Sequence, residues 1–202
     1  MKKDFVYLAS ASPRRSELLR QIGVRFEVRP AAIPEDQVRG EAPDAYVSRL
    51  AAAKADAVWD ALDMARAESR PVLAADTAVV LDGRVLGKPA TPIEAEAMLE
   101  ELSGRSHCVL TAVALCCGGP TESLLSESEV RFRATTAAER RAYCATGEPF
   151  DKAGGYGIQG HAAVFVEQLR GSYSAVAGLP LFETAALLTR CGVNFWLTAR
   201  TV

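Results

Sequence analysis

Four basic and two acidic side chains, taken together, form an inventory suited to one kind of chemistry. Arg14 and Arg15 follow Ser12-Pro13, a good N-cap and a good first helical residue, so they fall in the opening turn of a helix. The free N–H groups and positive dipole end of that turn already favour an anion, and two arginines add like charge to like unless something negative binds there. Phosphate is the natural candidate; the alternative is a pair of solvated arginines costing roughly a few tenths of a kcal/mol. Lys54 shares helical spacing with Val47, Leu50 and Val58, which puts a lysine on an inward face unless it snorkels outward. Asp76 interrupts two apolar runs, 72–75 and 78–81, where an unpaired carboxylate would be very costly. A metal, a cation or a substrate compensates it, or it is a hydrogen-bonded structural aspartate or sits at a strand end. Lys88 in Gly87-Lys88-Pro89 and Glu35 in an acidic loop each read as solvated when taken singly. Together, the cations with Asp76 and Glu35 fit phosphoryl chemistry, in which a hard divalent metal neutralises charge and a carboxylate activates water.

These side chains depend on elements that alternate along the chain. A first strand over residues 5–9 runs into the Ser12 helix, which carries Leu18, Leu19 and Ile22 inward and ends at Gly23. Val24, Phe26 and Val28 alternate as a short strand, a loop from Pro30 to Pro43 follows, and Asp44 caps a helix running to about Ala67. Pro71 to Leu81 is an apolar strand turned by Asp82-Gly83 into a hairpin with Val85-Leu86. Thr91-Pro92-Ile93-Glu94 and Thr136 to Glu139 are capping boxes; their helices stop at Gly104 and near Gly147. Val109 to Cys117, Glu129 to Arg133, Ala162 to Leu169 and Asn194 to Leu197 read as strands, and Pro180 initiates a last helix. The pattern is α/β with hairpins, so the sheet should be mixed, with flanking helices.

Composition narrows the class. The 202 residues are 49% hydrophobic and 24% charged, long enough for one sizeable core or two closely packed lobes, with one domain as the default. A net charge of −2 draws in neither nucleic acid nor an anionic membrane, so any phosphate site is local. Five cysteines, odd in number and without a C-x-x-C pair, read as reduced thiols of a cytoplasmic protein. The N-terminal apolar stretch is too short for a signal peptide, and no run is long enough to span a membrane. Gly155-Tyr156-Gly157-Ile158-Gln159-Gly160 is formally G-x-G-x-x-G, but it follows a loop and precedes an alternating stretch, which rejects a dinucleotide fold. Its glycines let backbone approach a ligand, and Gln159 offers an amide that could read a base. Neither His107 nor His161 stands in a credible triad.

The blocks LASASPRR (residues 8–15), RLAAAKA (49–55), AADT (74–77), GKP (87–89), SGRSHCVLTAV (103–113), GEPFDKAGGYGIQG (147–160) and GLPL (178–181) resemble the Maf family of nucleoside triphosphate pyrophosphatases, over nearly the whole chain. The resemblance implies a single Maf-like domain of two lobes around a nucleotide cleft, related to the inosine triphosphate pyrophosphatases. It implies hydrolysis of a nucleoside triphosphate to monophosphate and pyrophosphate with a divalent metal, Mg, Mn or Co, in an enzyme that is a possible homodimer. By position, Asp76 matches the proton acceptor, with Lys54 and Lys88 as catalytic cations. Ser10, Arg14 and Arg15 match triphosphate binders, and Glu35 with Asp76 the metal site. Pro34 stands where many relatives carry an additional acid. Arg14, Thr77 and Gln159 have the identities that mark the dTTP and UTP branch. The alternatives are the 7-methyl-GTP branch and a non-catalytic nucleotide sensor linked to cell division.

Overall fold

Alternating apolar segments of period two and period 3.6 build an α/β fold in a computed structural model that describes residues 4–62 and 70–196. Among these residues the order is β1 (Val6–Leu8), α1 (Pro13–Gln21), β2 (Phe26–Val28), α2 (Pro43–Ala61), β3 (Val72–Leu81), β4 (Arg84–Leu86), α3 (Pro92–Leu102), β5 (Ser106–Cys116), β6 (Glu122–Phe132), α4 (Ala137–Cys144), β7 (Val166–Arg170), α5 (Tyr173–Val176) and α6 (Leu181–Arg190). One seven-stranded sheet runs β2-β1-β3-β5-β6-β7, with β4 paired to β3. It is mixed, as the hairpins require: β1 is parallel to β2 and β3, whereas β3–β4 and β6–β7 are antiparallel. No helix among the described residues is long and apolar enough to cross a membrane.

The chain forms two compact units, Met1–Asp76 with Thr111–Ser126 and Gly178–Val202, and Thr77–Leu110 with Glu127–Ala177. The core of the first is Val6, Leu8, Leu19, Val47, Leu50, Ala51, Ala55, Val72 and Leu73, all shut from solvent. Each buried leucine contributes about 1.5–3 kcal/mol. In the second, Leu86, Leu99, Leu102 and Phe132 are equally buried. The β3–β4 turn there places Asp82 and Gly83 at positive φ, 51° and 76°, the left-handed pair a two-residue hairpin demands, and the Arg105 guanidinium donates to both Asp82 oxygens.

Local chemistry departs from the sequence expectations at definite points. Ser12 has the extended backbone of an N-cap, but its hydroxyl makes no capping bond; instead its N–H donates to the Ser10 hydroxyl. Helix α2 opens at Pro43, so Asp44 lies in its first turn and not at the cap, and the stretch expected to extend from 63 to 67 lies outside the described residues. The Thr136–Glu139 capping box is complete, whereas Glu94 returns its carboxylate to the N–H of Ala90 and leaves the Thr91 box half made. Strand β6 starts seven residues before the expected Glu129, because polar alternation from Glu122 keeps one face outward. Residues 161–165 wind as a 3₁₀ turn, with Ala162 and Phe165 inward at spacing three, and only Val166 onward is strand. Residues 194–196 carry no strand, and Leu197 lies outside the described residues.

Candidate active site

The first unit gathers most of the anomalous side chains. Helical spacing places Lys54 in the buried stripe of Val47, Leu50, Ala51, Ala55 and Val58, so its stem is packed and only its ammonium has a polar destination. It reaches across to β3: Lys54 Nζ lies 2.7 Å from Asp76 Oδ1 and 2.5 Å from Glu35 Oε1. Lys54 and Asp76 are only 8% and 7% exposed, so the lysine does not snorkel and the aspartate lies mid-strand, well inside β3. Burial pushes the Asp76 carboxyl up from its ordinary pKa, against the pull of Lys54 and Arg15, and Glu35 adds to the rise. Glu35 is held from its backbone, where the Tyr46 hydroxyl donates to its carbonyl at 2.9 Å. Arg49, one helical turn further on, donates to the carbonyl of Asp36 and forks onto Glu41.

At the head of α1, Arg15 is fixed by groups from distant parts of the chain. Arg15 Nε donates to the Gly178 carbonyl at 2.8 Å and Nη1 to the Ser10 hydroxyl at 3.0 Å, so this guanidinium is oriented by its own protein. Burial lowers its pKa, Asp76 and Glu35 oppose that, and Arg14 deepens it.

Both carboxylates accept from one ammonium, so the oxygens concerned lie no further apart than two hydrogen-bond lengths. Two carboxylates are hard oxygen donors of the kind a magnesium-type ion takes, one or two from protein with water and substrate phosphate completing its shell. Among the described residues no cluster of three or more His, Cys, Asp or Glu offers a fuller cage.

The second unit carries the other three. Thr77 is half-buried on β3, one residue beyond Asp76 in the chain. Lys88 is exposed after β4, where the Gly87 carbonyl accepts from the Gly154 N–H and ties this loop to the glycine-rich segment. Gln159 is exposed in a turn closed by the Gly160 N–H on the Gly157 carbonyl at 3.0 Å, with Ile158 buried beneath it. Among the described residues its amide makes no hydrogen bond.

The profile of the Maf-like protein family matches residues 5–191. The chain belongs to the Maf family. A protein of Aromatoleum aromaticum (strain DSM 19018 / LMG 30748 / EbN1) named dTTP/UTP pyrophosphatase is 52% identical over 196 residues, which cover 93% of this chain and 95% of that one. Relatives of the same name from Cupriavidus pinatubonensis and Ralstonia nicotianae are 50% and 51% identical, covering 95% and 94% of this chain and 99% and 95% of their own. Two features of this Maf chain escaped the sequence reading. One is the brace of Tyr46 and Arg49 on the Glu35 loop, signalled only by two polar residues three apart on α2. The other is a network around Glu148, which has no periodic signal because its partners Tyr143 and His161 come from a helix and a loop.

Proposed function

We propose that this Maf protein hydrolyses dTTP and UTP to the monophosphate and pyrophosphate. The observation that carries the reading is the buried Asp76 bridged by Lys54 to Glu35, in a chain half identical to relatives named for that activity. Lys54 holds Asp76 Oδ1, and Oδ2 makes no hydrogen bond to a described residue, which leaves it to accept a proton from water. That water's oxygen bonds to the α-phosphorus as the link to the bridging oxygen breaks, and pyrophosphate departs with the electron pair. Arg14, Arg15, Ser10 and Lys88 hold and neutralise the triphosphate. Glu35 and Asp76 would hold a divalent cation, Mg, Mn or Co, whose charge offsets that of the phosphates. Gln159 matches the acceptor O4 and donor N3–H of a pyrimidine with its own donor and acceptor, while Thr77 limits room for a larger base. The family resemblance adds a homodimer to the reading.

Product analysis tests it. Wild type should convert dTTP to dTMP and pyrophosphate, lose turnover with a chelator, and prefer dTTP and UTP over purine triphosphates by about tenfold, the discrimination of one lost hydrogen bond. Folded Asp76→Asn should lose about 10²–10⁴-fold in kcat, as expected when a general base is removed. Diphosphate as the first product would refute the cleavage site, a preference for 7-methyl-GTP would refute the substrate, and near-normal turnover by Asp76→Asn would refute the base.

A further inference from the structure

The turn that presents Gln159 is built over one carboxylate. Glu148 opens a short 3₁₀ turn, Glu148–Asp151, and its backbone is clamped: its N–H donates to Thr146 Oγ1, and its carbonyl accepts from Lys152 Nζ at 2.6 Å. Its side chain then bridges two elements. Oε1 accepts from the Tyr143 hydroxyl of α4 at 2.9 Å, and Oε2 lies 2.8 Å from both the backbone N–H and the ring Nδ1 of His161. His161 is two residues after Gln159 and follows directly on the turn. Burial pushes the Glu148 carboxyl up, but the bonds from His161 and Tyr143 outweigh it, and the net direction is down. An ionised, doubly anchored acceptor therefore sits beneath the turn.

Gly160 shows how close that contact is. Its backbone, at φ −107°, is open to any residue, so nothing in its conformation asks for glycine. A Cβ there, however, would lie 2.3 Å and 2.4 Å from the two Glu148 oxygens. Gly157, at the other end of the turn, is similarly pressed, with Lys152 Cε 2.7 Å and Glu148 Oε1 3.2 Å from where its Cβ would be. Gly157 and Gly160, the last two glycines of G-x-G-x-x-G, thus allow close approach of the Glu148 and Lys152 side chains, whereas Gly155 packs on Pro89 at φ 67°.

We propose that Glu148 is the positioning residue for Gln159: by holding the Gly157–Gly160 turn through His161 and anchoring it to Tyr143, it sets where the amide stands and so sets pyrimidine preference without touching substrate. The proposal rests on the base-reading role given to Gln159 above. A displaced amide loses the pyrimidine edge but leaves phosphate binding and the attacking water alone, so the loss falls on KM and on discrimination, not on kcat.

The test is kcat and KM for dTTP, UTP and dGTP in wild type, Gln159→Ala, Glu148→Ala, Glu148→Gln, Gly160→Ala and the Glu148→Ala/Gly160→Ala double variant. Glu148→Ala should reduce the dTTP-to-dGTP ratio of kcat/KM about tenfold, as Gln159→Ala does, with kcat on dGTP within about twofold of wild type. Glu148→Gln should keep the ratio, because the amide oxygen still accepts from the His161 N–H and the NH₂ can donate to Tyr143. Gly160→Ala should lower the ratio in the native background and cost nothing more once Glu148 is alanine, since the carboxylate it strikes is gone. An unchanged ratio in Glu148→Ala, or effects of Glu148→Ala and Gly160→Ala that simply multiply, overturns the proposal. If Glu148→Ala fails to fold, Gly160→Ala decides alone, and a wild-type ratio in it overturns the proposal. A wild-type ratio in Gln159→Ala removes the base-reading role itself and this proposal with it, whereas loss in Gln159→Ala alone leaves that role standing and removes only Glu148.

Discussion

Lys54 and Asp76 differ in kind from the many ion pairs on the surface. An exposed pair such as Arg131–Glu167, half open to solvent on both sides, contributes about 0–1 kcal/mol. Breaking a buried pair instead strands a charge, at about 3–5 kcal/mol. Lys54→Met should therefore destabilise the protein, and it should also move a pH limb. Burial raises the Asp76 pKa and Lys54 is the chief group holding it down, so without the lysine it rises further. A general base works deprotonated, and activity appears as pH climbs through its pKa. The acid limb of kcat/KM in Lys54→Met should accordingly sit at higher pH than in wild type, read from a pH–rate profile. A limb that stays in place or moves down would mean that Asp76 is not the titrating base.

At the scale of elements, β5 carries a second buried titratable group with a different consequence. His107 lies edge-on to Phe132 and Tyr156, centroids 5.1 Å and 5.4 Å away, and its Nε2 is 2.8 Å from the Tyr156 hydroxyl. Nδ1 is buried with no hydrogen-bond partner among the described residues, and burial lowers the pKa to about 4. The sign follows: between that value and the ordinary one near 6.5 the unfolded chain binds a proton that the folded chain refuses, so stability falls as pH falls. The loss at pH 5 should be about 2 kcal/mol relative to pH 7, measured as a urea midpoint, and His107→Phe should remove most of that difference. Equal acid sensitivity in the variant would place the titrating group elsewhere.

For the molecule as a whole, the cysteines need re-reading. Cys117, just past β5, is bonded to Cys191, which caps the C-terminus of α6 across 74 residues of sequence; Cys108, Cys116 and Cys144 are free. The expectation of five reduced thiols fails because spacing along the chain says nothing of which strand and helix ends meet. Thiol titration of the denatured, unreduced protein should count three groups. Reduction should lower stability by about 4 kcal/mol, the loop-closure entropy of a cross-link of that length. Five titrating thiols would dissolve the pairing.

Much of this was legible in the residues themselves. Helical period alone put Lys54 on an inward face, apolar flanks alone marked Asp76 as costly, and Asp82-Gly83 announced its hairpin, because each signal is local and each cost is incurred whatever the partner. The spaced Maf blocks gave the family over nearly the whole chain. What completes those costs is not local. That the ammonium of α2 would meet a carboxylate of β3 and one from a loop, that Arg15 would close on Gly178, that Glu148 would accept from His161, and that Cys117 would find Cys191 all join residues well separated in sequence. Local pattern also misled at 161–165, where alternating Ala162, Val164 and Val166 mimic a strand although the packing of Ala162 and Phe165 imposes a turn of three. Sequence period tells which side chains must be buried; only the packed chain decides which of the buried groups satisfy one another.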